Sequence, residues 1–245
     1  MKVSIKKERL DKILVQRGIV ESRELAQRMI LAGNVLVNEQ LITKVAEKID
    51  ISADIRLKEQ PRKYVSRGGE KLEIAIKKFN IKFSGKSVLD IGISTGGFTD
   101  CALQHNAKEV TGVDVGYGQV DLKIRNNPLV SIIEKTNART LNLNKEFDII
   151  ICDVSFISIL KLIDTFNKHL KKNGELIVLI KPQFEAGREY IEKGGIVKDL
   201  KIHQIIIENI KQKFSEAGFE FIDIAESKIL YPKGNIEYLS YWRKK

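Results

Sequence analysis

The sequence predicts an α/β chain in two parts: a mostly parallel, doubly wound sheet preceded by a small α+β module. Three observations predict it. From Ser87 onward, short apolar runs alternate with helical stretches, the pattern of parallel strands covered by helices. Within that region Val88-Leu89-Asp90-Ile91 runs into Gly92, Gly96 and Gly97. This reads as a strand, a turn and a helix start, the place where a doubly wound sheet receives a ligand. The first sixty residues are patterned differently, and a polar, proline-bearing stretch, Glu59-Gln60-Pro61-Arg62-Lys63, follows them. The expected layout is a small module over 1–60, a linker over 61–66 and a large domain over 67–245.

In the small module, Leu10, Ile13 and Leu14 share one face of a helix starting at Arg9, and Gly18 ends it. Ser22 caps a second helix with the apolar stripe Leu25, Ala26, Met29 and Ile30, closed by Gly33. Residues 34–38, 49–51 and 55–57 read as short strands. In the large domain a helix over 72–79 precedes strands at 88–91, 110–114, 130–133, 147–152 and 176–180. Helices are expected from Phe98 to near His105, over 159–170 and over 202–214. Strands at 219–224 and 238–242 follow, and their short connection implies an antiparallel edge.

The chain of 245 residues has 42 basic and 32 acidic side chains, a net charge of +10. That excess suits an anionic partner, nucleic acid first. A lysine-rich composition would give the same number, so charge alone leaves both readings open. Cys101 and Cys152 make no disulfide framework and no metal site, and read as buried thiols of a reducing compartment. The first ten residues are too charged for a secretory signal. The longest aliphatic run, Leu176 to Ile180, falls far short of the roughly 18 apolar residues of a spanning helix. A cytoplasmic protein without a membrane partner is expected.

The glycine loop reads D-x-G-x-x-x-G-G rather than the dinucleotide pattern G-x-G-x-x-G. A carboxylate beside the loop disfavours a pyrophosphate and favours a cationic ligand. S-adenosylmethionine, with its sulfonium and ammonium groups, fits that charge. Asp90, Gly92, Ser94, Gly96, Gly97 and Phe98 are the expected contacts from the loop. Asp114, ending the second strand, is placed to accept ribose hydroxyls, Asn137 to bond the adenine edge, and Asp153 to stand beside Gly92. NAD is the rival ligand, since it too uses an acid after strand two; the missing glycine and the acidic loop count against it.

Methyl transfer to a hydroxyl needs help with its proton. Lys181 follows four aliphatics and precedes a proline, which a solvent-facing lysine does not explain. Asp153 ends the adjacent strand, Lys71 enters from before the sheet and Glu237 from the last edge element. Arg9, Lys12, Arg17, Arg23 and Arg28 lie on the polar faces of the first two helices. One such residue reads as solvated surface; five on a two-helix platform point to phosphate contact.

The order R-L-D-x-x-L, S-R-x-x-A, A-G-x-V-x-V-N over residues 8–57 resembles the S-four-type RNA-binding domain. The spread K…D…K…E resembles the tetrad of FtsJ-like RNA ribose 2′-O-methyltransferases. V-S-R-G-G-x-K-L, D-I-G-x-S-T-G-G-F-T-D-C, G-V-D-V-G-Y-G-Q, C-D-V-S-F-I-S and K-P-Q-F-E-A-G-R occur in order, and residues 8–244 resemble the TlyA-type, or haemolysin A, family. The resemblance implies a Rossmann-like S-adenosylmethionine-dependent enzyme that methylates a cytidine ribose 2′-hydroxyl on ribosomal RNA, with ribosomal subunits as partners. It implies Lys71, Asp153, Lys181 and Glu237 as catalytic residues. Lys181 would deprotonate or polarise the hydroxyl, Asp153 orient it, and Lys71 and Glu237 position the acceptor nucleotide. The family's R-x-W-V-like linker reads Arg62-Lys63-Tyr64-Val65 here. Two other classes are a membrane-active haemolysin, which the missing signal and spanning segment oppose, and a non-catalytic ribosome-binding protein, which the intact tetrad opposes.

Overall fold

A computed structural model of the protein describes residues 7–58, 63–227 and 235–245. The chain divides into two compact units, 1–62 and 63–245. The linker expected over 61–66 begins outside the described residues; from Lys63 onward that stretch belongs to the larger unit.

In the smaller unit β1 (Lys7–Arg9) leads directly into α1 (Leu10–Gln16), and α2 (Arg23–Leu31) follows. The Ser22 hydroxyl oxygen accepts from the Leu25 amide at 3.1 Å, which fixes where α2 starts. β2 (Val35–Val37) lies between β3 (Gln40–Ile42) and β5 (Ile55–Leu57), while β4 (Lys48–Asp50) pairs with β1. Leu10, Ile13, Leu14, Ala26, Ile30, Val35 and Ile55 form its core. β1 and β3 go beyond the elements expected from sequence. At three residues each they are too short to show a period.

The larger unit runs α3 (Gly68–Phe79), β6 (Ser87–Ile91), α4 (Gly97–Gln104), β7 (Glu109–Val113), α5 (Leu122–Arg125), β8 (Val130–Ile133) and β9 (Phe147–Cys152). Then come α6 (Ile163–His169), β10 (Leu170–Ile180), α7 (Pro182–Glu185), α8 (Leu200–Glu216), β11 (Phe219–Glu226) and β12 (Tyr238–Lys244). The seven strands are ordered β11-β12-β10-β9-β6-β7-β8, parallel from β10 to β8. β12 runs antiparallel to both β10 and β11, so the last two strands make the antiparallel edge.

Why β6 and β9 are apolar at most positions follows from the packing. Val88, Ile149 and Ile151 face one cluster with Leu72 and Phe98, while Leu89, Ile150 and Cys152 face another with Phe166 and Phe214. The helix expected over 159–170 is shorter. A single turn over Ile159–Leu162 is capped by Ser158, α6 ends at His169, and β10 begins at Leu170. Lys171-Lys172-Asn173-Gly174 reads locally as a turn, but pairing with β9 draws it into the strand as an irregularity between Leu170 and Glu175. Among the described residues no helix is long and apolar enough to cross a membrane.

Candidate active site

A cavity of about 490 Å³ opens at the carboxyl ends of β6, β7 and β9. Of the expected cofactor contacts, Gly92, Ser94, Asp114, Asn137 and Asp153 line it. Gly92 has φ +85°, and a Cβ there would lie 2.6 Å from the Asp153 carbonyl oxygen, so the two strand ends approach this closely only with glycine. The Asp114 carboxylate accepts from the Ser94 and Gly116 amides, each at 2.8 Å. Each of its oxygens keeps a lone pair for a further donor. Asn137 Oδ1 accepts from the Arg139 amide at 3.0 Å, leaving its NH₂ to donate.

Asp90, Gly96, Gly97 and Phe98 do not line the cavity; they build the support beneath it. Asp90 is fully buried. Its Oδ2 accepts from the Thr99 hydroxyl at 2.6 Å, while Oδ1 has no hydrogen-bond partner among the described residues. Burial, opposed by the Thr99 hydrogen bond and reinforced by the charges of Asp153 and Asp114, pushes its carboxyl up to about 7. Gly96 turns the chain into α4 at φ +93°. Gly97 packs against Ser66 and Gly69, and Phe98 belongs to the apolar cluster of Leu72.

The structure brings Lys71, Asp153, Lys181 and Glu237 together as a chain of alternating charge. Lys71 Nζ is 2.6 Å from Glu237 Oε2 and 3.8 Å from Asp153 Oδ2; Lys181 Nζ is 2.6 Å from Asp153 Oδ1. Both lysines are buried. Buried charges persist only when paired, and here each cation has an anion and the reverse. Lys71 comes from the first turn of α3, Asp153 follows β9, Lys181 follows β10 and Glu237 precedes β12. Asp153 is the member of the four that also lines the cavity.

Three residues bordering this site were not foreseen from sequence. Ser155 Oγ accepts from Lys181 Nζ at 3.0 Å. Phe156 is 91% exposed with φ +66°, a left-handed backbone that a bulky residue adopts only under constraint. Its ring centroid lies 5.3 Å from that of Phe184. Glu185 accepts from the Ser158 hydroxyl at 2.6 Å and the Ile159 amide at 2.9 Å. The motif C-D-V-S-F-I-S contains the first two, but nothing in it signals the exposure or the positive φ.

The five basic residues of the small unit have varied surroundings. Arg9 donates to Asp11 at 2.9 and 3.0 Å, and Arg23 to the same carboxylate at 2.9 Å. Arg17 donates to the carbonyl oxygens of Ala53, at 2.8 Å, and Ile51. Lys12 lies 3.6 Å from Glu8. Arg28 is exposed and makes no ion pair among the described residues. Of the linker tetrapeptide, Arg62 lies outside the described residues. Tyr64 is buried and donates to Glu73, and the Val65 amide donates to Asp100 at 2.9 Å. Glu73, Cys101 and His105 bring three possible metal donors within 4.8 Å of one another. Glu73 Oε2 is already shared with Tyr64, with His105 Nε2 at 2.8 Å and with Lys63 at 3.2 Å.

Comparison with known proteins matches residues 64–244 to the FtsJ-like methyltransferase model and residues 8–55 to the S4 domain. A Brachyspira hyodysenteriae protein named Hemolysin A is 45% identical over 238 residues, covering 96% of this chain and 99% of that one. A Mycobacterium tuberculosis protein named 16S/23S rRNA (cytidine-2′-O)-methyltransferase TlyA is 34% identical over 239 residues, covering 96% and 89%. A solved structure from Streptococcus thermophilus, provisionally described as a hemolysin, superposes with a TM-score of 0.74 at 38% identity, covering 99% of this chain and 90% of that one.

Proposed function

The chain belongs to the FtsJ-like methyltransferase family and carries an S4 domain ahead of that region, and we propose that it methylates a cytidine ribose 2′-hydroxyl of ribosomal RNA from S-adenosylmethionine. The observation that carries this reading is the alternating chain of Lys71, Asp153, Lys181 and Glu237 meeting the cavity at Asp153.

The residues present suit the cofactor. Asp114 retains lone pairs for ribose hydroxyls, Asn137 retains an amide donor for an adenine edge, and the acids Asp153 and Asp114 border a site for a cationic ligand. When bound, S-adenosylmethionine supplies a methyl group on a positively charged sulfur. Lys181 polarises the acceptor hydroxyl as an ammonium or, once it has given up its own proton, takes the hydroxyl's, and general-base help of this kind is worth about 10²–10⁴ in rate. Asp153 and Ser155 hold the Lys181 head group from two directions, so its direction is set before RNA arrives. Lys71 pairs with Asp153 in turn, Glu237 holds Lys71, and together they offer a charged edge for the acceptor ribose. Phe156 offers an exposed apolar face on which an unpaired base can stack. Residues 8–55 supply phosphate and shape recognition through their basic groups. The reaction belongs in the cytoplasm, with the ribosomal RNA.

Mass-spectrometric mapping of ribose methylation on both ribosomal RNAs, with and without the protein and S-adenosylmethionine, tests the reading. The expected outcome is a new 2′-O-methylcytidine that depends on both. Absence of any new ribose methyl from both RNAs, free and in subunits, refutes it.

A further inference from the structure

Two segments meet beside the cavity. One is the turn from Asp153 to Ile159 that follows β9; the other runs from Lys181 through α7 to Glu185. They are joined at Lys181 to Asp153, at Lys181 to Ser155, at Phe184 to Phe156, and at Glu185 to Ser158 and Ile159. The proposed chemistry uses the first two joints. The last joint has no role in it, yet it places a largely buried carboxylate on the neighbouring turn. Burial raises the Glu185 carboxyl above its ordinary range, which marks the group as costly to keep there.

The need for that joint is visible in the backbone. Phe156 holds φ +66° with its side chain 91% exposed. Exposed loops relax out of such conformations unless their surroundings over-determine them. Phe184 touches one side of the ring, but a ring contact does not fix a backbone. Glu185 does: it takes the Ser158 hydroxyl and the Ile159 amide, two and three residues beyond Phe156, so the chain cannot unwind from that side. On the other side the turn is anchored by the ion pair of Asp153.

We infer that Glu185 is a positioning residue that locks the 153–159 turn, presenting Phe156 and Ser155 to the acceptor strand beside Lys181. Its catalytic consequence rests on the methyl-transfer reading; its effect on the turn does not.

Two measurements separate these. In the otherwise native chain, Glu185→Ala should lower kcat on ribosomal RNA by about tenfold or more at an unfolding midpoint close to the parent's. Glu185→Gln, whose carbonyl can accept from Ile159 and whose amide can donate to Ser158 Oγ, should restore most of it. Ser158→Ala, which removes one of the two bonds, should fall between. In a Phe156→Trp background, time-resolved anisotropy reads the turn directly, because the native Trp242 is fully buried and gives a fixed background. Glu185→Ala should add a fast component at position 156 that Glu185→Gln lacks. A folded Glu185→Ala protein with parental kcat and parental anisotropy overturns the inference. So does a kcat loss that tracks the fall in folded fraction, with unchanged anisotropy. A parent chain that transfers no methyl group defeats the methyl-transfer reading, while the anisotropy still decides whether Glu185 locks the turn.

Discussion

Each unit of the protein buries one aspartate completely, and the two are treated in opposite ways. Asp11 in the small unit accepts from Arg9, Arg23 and Gln27, and those partners hold its carboxyl well below the usual range. Asp90 in the large unit has one hydroxyl partner, has an oxygen without a partner among the described residues, and is pushed up to about 7 by burial, with Asp153 and Asp114 adding to the rise. Asp11 is a satisfied charge that pins α1 to α2. Asp90 is an unsatisfied one under a cavity proposed to take a cation. The small unit satisfies its buried charge with partners just before α1 and on α2, and the large unit leaves its own short of partners behind the cavity wall.

The largest effect is expected in the large unit, at Lys181. Lys181→Ala should cost about 10²–10⁴ in methyl transfer while S-adenosylmethionine binding, read by calorimetry, persists. Turnover at the parental rate on ribosomal subunits would remove Lys181 from the methyl-transfer machinery. Asp11→Ala should instead cost about 3 kcal/mol in the small unit, the low end for breaking a buried pair, because the arginines left behind are partly exposed. Hydrogen exchange should show protection lost over residues 10–57 and kept in the sheet of the large unit; uniform protection would show that Asp11 pins nothing.

The two aspartates also differ in the sign of their pH dependence. Asp11, with a lowered carboxyl, contributes stability that is present at neutral pH and is lost as pH falls below about 4. Asp90, with a raised one, contributes stability that is present below about 4 and is lost as pH rises through about 7. Asp90→Asn should therefore gain on the parent in thermal midpoint between pH 4 and pH 8. Parallel midpoints across that range would mean that Asp90 does not titrate there. The smallest effect is expected at Arg28, exposed and without an ion pair among the described residues. Arg28→Ala should flatten the salt dependence of RNA binding by up to about one unit of log–log slope. An unchanged slope would remove Arg28 from the RNA-contacting surface.

Much of the fold was legible because its signals are local. The apolar runs at Val88 and Phe147, the cap at Ser22 and the turn at Gly92 each depend on residues a few positions apart. The extension of β10 back to Leu170 was not legible, because Lys171-Lys172-Asn173-Gly174 looks like a turn until β9 is beside it. Gly96, Gly97 and Phe98 were legible as loop residues but not as supports, since a loop's inner and outer sides look alike in sequence. Arg9 and Arg23 looked like free surface charge for the same reason: the carboxylate they bond is buried by the packing of α1 on α2.

By itself the sequence determined the alternation of strands and helices. It also determined the acids that follow β7 and β9 at the end of a parallel sheet where ligands bind, because strand direction and turn chemistry are read from neighbouring residues. The tertiary structure alone decided that Lys71 and Glu237, 166 positions apart, meet at 2.6 Å. It does so by threading β12 antiparallel between β10 and β11, which carries the residue before β12 to the carboxyl end of β10. No local pattern encodes that meeting, because it depends on the order of strands across the sheet.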